Sequence, residues 1–101
     1  MTIDKIIEIG IDDKERLFVK PHTERFEFIY RDASGVHWDK TGNFLYTDKP
    51  REWTYFDCFR QILLATKGEY GCELKVTSET KWPNISNELK KQIIEHQKAT
   101  A

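Results

Sequence analysis

The chain lacks any run approaching the ~18 apolar residues that a membrane span requires, so no bilayer crossing is expected. Its five glycines stand singly, which excludes the phosphate-cradling P-loop and the dinucleotide fingerprint. No Cys-x-x-Cys occurs, and His22, His37 and His96 are scattered, so neither a zinc site nor any cofactor is expected. Ser34 and Ser78 lack the strand–elbow–helix setting of a nucleophile. Charge of one sign is missing too. Sixteen basic and 17 acidic residues nearly cancel and are interspersed, leaving no field to attract nucleic acid or an anionic membrane. The opening Met1–Gly10 has no sustained apolar stretch and no cleavage-site pattern, so a secretory signal is not expected. The expected compartment is the cytoplasm, where Cys58 and Cys72 would be reduced and buried.

What the chain does have is aromatic bulk, 13% of 101 residues, which argues for a packed fold. That length fits a single domain over 1–101 with one modest core. The organising stretch is Pro50–Gly68. At about 100° per residue, Tyr55, Phe56, Cys58, Phe59, Ile62, Leu63 and Thr66 fall on one side of a helix, and Asp57, Arg60, Gln61 and Lys67 on the other. Thr54 and Asp57 form a capping box, with Trp53 stapled on Cys58; a rival start places Pro50 at the first helical position. Gly68 is the expected stop. The helix is predicted over 52–67, with Leu64 an isolated apolar residue on its polar face.

Alternation predicts strands at 5–11 and 16–20 and, most cleanly, at 24–31, where Phe26, Phe28 and Tyr30 share one side. Asp32–Gly35 reads as a turn. Val36–Trp38 and Asn43–Tyr46 read as a hairpin closed by Gly42. A strand opening at Cys72 would bury Cys72, Leu74 and Val76. A terminal helix from Asn87 with Ser86 as N-cap would fray at its end. The expected fold is therefore α+β, in the order β-β-β-β-β-α-β-α. The sheet is antiparallel, with the main helix on one face and a short helix at the C-terminus.

With Ile7, Ile9, Leu17, Val19, Phe26, Phe28, Tyr30, Val36, Trp38, Phe44 and Tyr46 beneath the helix, the reverse face collects Ile6, Phe18, Ile29, His37 and Leu45. Phe18, Ile29, His37 and Leu45, with Leu64, form the candidate self-association set, and a homodimer is its simplest use. Trp38, Tyr46, Trp53 and Tyr55 gather near the second hairpin and the helix entry. They form the candidate site for a ligand or a protein partner, since such rings are stiff and carry polar handles. The bland alternative makes them the outer layer of the core. A trio of Asp39, Asp57 and His37 can be drawn, but carries no specificity as an active site. No catalytic residue is assigned.

The run Pro50–Asp57, with the later Trp82 loop, resembles small bacterial proteins carried on mobile integron gene cassettes, a likeness extending over residues 5–96. The resemblance implies a bacterial cytosolic α+β protein, frequently oligomeric, with accessory binding or toxin-neutralising roles. It transfers no functional residue. Two readings stand: a non-enzymatic interaction module, which predicts a flat exposed apolar patch, or a small-ligand protein or minor enzyme with an aromatic pocket near Trp38, Tyr46 and Tyr55.

Overall fold

The computed structural model describes residues 2–32 and 34–99. Ala33, in the expected turn, and Thr100 and Ala101, at the expected frayed end, lie outside them. Eight elements run in the order β1 (Thr2–Ile11), β2 (Leu17–Pro21), α1 (Ile29–Asp32), β3 (Val36–Asp39), β4 (Phe44–Thr47), α2 (Tyr55–Tyr70), β5 (Cys72–Lys81) and α3 (Asn87–Ala99). The five strands form one sheet in the order β3-β4-β2-β1-β5. Three pairings are antiparallel; β5 joins β1 in parallel. The parallel pair follows from connectivity. β4 runs in the same direction as β1, α2 returns the chain across the sheet, and the next strand must then repeat the direction of β4. The α+β class stands, and the sheet is mixed, though mostly antiparallel.

The central helix forms for local reasons. Thr54 is its N-cap: its hydroxyl accepts from the Asp57 backbone N–H, and the Asp57 carboxylate accepts from the Thr54 N–H at 3.1 Å. Pro50 does not open the helix. Nor does Gly68 close it. The helix runs on to Tyr70 and stops at Gly71, which adopts φ 62° and donates its N–H to the Lys67 carbonyl. Glycine permits a stop without requiring one, and the left-handed turn falls three residues later. Cys58, Phe59, Ile62, Ala65 and Thr66 are buried against the sheet.

The clearest expected strand is not one. Residues 26–28 turn, and Ile29–Asp32 make a single helical turn, α1. The cause lies in β1, where buried Asp4 accepts from the backbone N–H groups of Thr23 and Glu24 at 2.9 and 2.8 Å. Those amides are thereby withdrawn from any ladder. Phe26 and Ile29, three residues apart, are buried; Phe28 and Tyr30 project outward.

Two side-chain phases also differ from simple alternation. A bulge between Ile6 and Glu8 lets both Ile6 and Ile9 face the core, so Ile6 does not belong to the reverse face. In β4 it is Leu45 and Thr47 that point inward, Leu45 lying between Val19 and Trp38 in the ladder. One core takes residues from all five strands or helices around them, including Ile29, Phe59, Leu89 and Ile93. Among the described residues, every helix packs on this side of the sheet.

Candidate functional site

The outer face of the sheet is therefore open, and its composition is uneven. Pairing places Phe18 beside Tyr46, Tyr46 beside His37, and Phe44 beside Asp39, all directed away from the core. The rings form a continuous row. Phe18 and Phe44 lie 5.3 Å apart between centroids, Phe44 and Tyr46 6.1 Å, and Tyr46 and His37 5.1 Å. The Arg16 guanidinium sits 4.4 Å from the centre of the Tyr46 ring. It is held there by Asp12, whose carboxylate accepts from Arg16 Nε at 2.7 Å. Partial burial works against both charges, yet the hydrogen bonds and mutual attraction outweigh it. Asp12 is consequently held below the usual carboxylate range and Arg16 above its ordinary value.

Glycine makes room for this row. A Cβ at Gly10 would lie 2.6 Å from Phe18 and 2.8 Å from Pro83, so the Phe18 ring and the loop after β5 both lean on that bare backbone. Beyond Phe18 the face turns polar, with Glu8 opposite Lys20 on β2 and Lys5 opposite Lys75 on β5.

The structure distributes the candidate residues differently from their order in the chain. Of the self-association set, Phe18 and His37 lie on the outer face. Ile29 and Leu45 are 0% exposed in the core and offer no surface to a partner. Leu64 is 67% exposed, but on α2, on the other side of the sheet. Of the aromatic group, Tyr46 joins the outer row. Trp38 is buried edge-on against Phe26 with ring centroids 5.9 Å apart. Trp53 is 54% exposed beside the start of α2. The Tyr55 hydroxyl donates to the Glu15 carbonyl at 2.9 Å. These four residues do not converge on a pocket.

Sequence reasoning missed Phe44 and Arg16. Phe44 follows from the corrected phase of β4; the stacking of Arg16 on Tyr46 has no one-dimensional signal. His37 lies 3.6 Å from Asp48, whereas Asp57 is engaged at the α2 cap, so the Asp39–Asp57–His37 trio is not assembled. Among the described residues no cluster of three or more His, Cys, Asp or Glu is placed to hold a metal ion. No described helix is long and apolar enough to cross a membrane.

Comparison with known proteins places this α+β chain among integron cassette proteins. The profile of the Integron Cassette Protein Hfx_Cass5 family matches residues 4–80, and the chain belongs to that family. A solved member, Integron Cassette Protein Hfx_Cass5 from the mobile metagenome of North West Arm Sewage Outfall, is 33% identical over 97% of this chain and 98% of its own, with a TM-score of 0.49. No curated protein matches.

Proposed function

We propose that the protein is a non-enzymatic, cytoplasmic accessory binding protein that self-associates through the outer face of its sheet. The observation that carries this reading is the uncovered row of Phe18, Phe44, Tyr46 and His37 with Arg16 stacked on it. Phe, Tyr and Arg are enriched at interfaces, and Lys and Glu are displaced to their rims, which is the order seen across this face. Such a face also meets its own copy with no second surface required, because a two-fold contact is self-complementary.

Magnitude fixes the strength expected. The four rings are only partly exposed, and with about a quarter left free of the 150–250 Å² that each buries in full, the row offers roughly 200 Å². A stable dimer needs about 800 Å² per partner, the remainder coming from the charged rim. The association is accordingly weak, in the micromolar range or above. Sedimentation equilibrium over a wide concentration range tests it. A monomer–dimer equilibrium that Phe18→Glu abolishes, with an unchanged circular dichroism spectrum, supports the reading. A monomer at the highest concentration, or a dimer indifferent to Phe18→Glu and Tyr46→Ala, refutes it.

A further inference from the structure

On the opposite side of the sheet, α2, β5 and α3 border a small, partly open cavity of about 150 Å³. One wall is a single stripe of α2. Arg60, Leu63, Leu64 and Lys67 recur at intervals of three and four and so share one face of the helix. Leu74 of β5 and His96 of α3 complete the lining. The polar groups are not random with respect to charge. Arg60 and Lys67 stand at either end of the leucine pair. The lining carboxylate, Glu73, is turned to Lys75 at 2.9 Å, and that hydrogen bond, with the charges of Lys75 and Lys67, holds it below the usual carboxylate range. Arg60 reaches Asp57 only at 4.0 Å, on a half-exposed surface where such a pair contributes little. Cationic surplus and apolar floor thus converge on one opening. They also give a role to Leu64, the solvent-facing apolar residue that the helix pattern leaves unexplained.

We infer that this cavity is a binding site for a small monocarboxylic acid whose apolar body is no larger than one aromatic ring. Size sets the upper bound, since a cavity of about 150 Å³ lined by aliphatic side chains accommodates benzene. Charge sets the head group. A carboxylate seated on Leu63, Leu64 and Leu74 lies between a guanidinium and an ammonium, and an arginine fork donates to its two oxygens. A neutral ring would fill the floor but leave the cations unused, and an amine would be repelled. Gln97 is committed elsewhere, its side-chain oxygen accepting from the Val76 backbone N–H, so α3 is pinned in the position that closes the cavity.

The site is independent of the outer sheet face, and neither reading depends on the other. The test is a two-dimensional amide NMR titration with sodium benzoate, benzyl alcohol and benzylamine. Saturable shifts confined to residues near 60–67, 73–74 and 96–97 are expected with benzoate, at a dissociation constant of order 1 mM for so few atoms. Benzyl alcohol binds roughly tenfold more weakly and benzylamine not at all. Arg60→Gln and Lys67→Met each weaken benzoate by about tenfold while leaving benzyl alcohol unchanged, a split that loss of folding would not produce. Equal binding of benzoate and benzyl alcohol overturns the proposal, as do shifts elsewhere on the protein or an absence of saturation.

Discussion

Replacing Leu45 and Tyr46 separately with alanine tests the side-chain phase of β4, on which the identity of the outer face rests. Leu45 is 0% exposed and lies between Val19 and Trp38 in the ladder. Its truncation removes buried carbons and leaves a cavity, a loss of about 3 kcal/mol within the 2–5 kcal/mol range for such changes. Tyr46 gives up less. Its ring is partly solvated, and truncation costs the stacking on His37 at 5.1 Å and the Arg16 contact at 4.4 Å, together about 1 kcal/mol. For 101 residues the unfolding entropy at the midpoint is about 0.2 kcal/mol/K. Leu45→Ala should therefore lower Tm by about 15 °C and Tyr46→Ala by about 5 °C. Urea melts monitored by circular dichroism at one low protein concentration, where any dimer would be dissociated, give the same comparison as free energies. If Tyr46→Ala costs as much as Leu45→Ala, β4 is inverted, Tyr46 belongs to the core, and the aromatic row does not exist.

Two further outcomes follow from single groups. Thr54→Ala should destabilise by about 1 kcal/mol, because it unmakes one half of the reciprocal cap; a urea melt checks this, and Thr54→Ser should recover most of the loss. Burial first, then the nearby Glu24 and Asp4, raise the Cys72 thiol from 9.0 to about 11. The fold thus keeps a proton that the unfolded chain releases near 9, so this stability is complete below pH 9 and is lost as pH rises through about 11. The full loss is on the order of 2–3 kcal/mol. Melts from pH 8 to 11 should show it, and Cys72→Ala should remove it.

How far the sequence carried depended on whether the deciding interactions were local. The start of α2 was legible because Thr54 and Asp57 cap one another across three residues, and its buried stripe because Cys58, Phe59, Ile62 and Thr66 repeat with the helical period. The segment 24–31 misled because its alternation is real, but a distant carboxylate decides it. Asp4 takes the Thr23 and Glu24 amides. Phe26 and Ile29, the two residues of this segment buried in the core, are instead spaced as in a helical turn. In β4 both phases bury apolar groups, so periodicity alone chose the larger rings and placed Phe44 and Tyr46 inside. Pairing with β2 and β3 settles it for Leu45. The same error hid half of the candidate site: Phe18 and His37 were assigned to the outer face, whereas Tyr46 was assigned to a pocket with Trp38 and Tyr55. Nearness in sequence placed those residues together, but the core claims Trp38 and the β1–β2 turn claims the Tyr55 hydroxyl.

The edges of the sheet bear on where association can occur. A free edge strand is the usual route by which sheets join, and this sheet restricts both of its edges. β5 is flanked by α3, and the Val76 N–H, which would otherwise be offered to a neighbour, donates to Gln97 at 3.2 Å. β3 has only four residues, and its last, Asp39, turns its carboxylate to the amides of Thr41 and Gly42. A four-residue edge presents too few ladder groups to hold two copies together, since isolated pairs of short strands are marginal in water. On this side of the molecule the described residues offer the flat row from Phe18 to His37. An association built on rings is weakened by changing side chains, whereas one built on an edge is carried by backbone and ignores them. The response to Phe18→Glu therefore distinguishes a face from an edge as well as a dimer from a monomer.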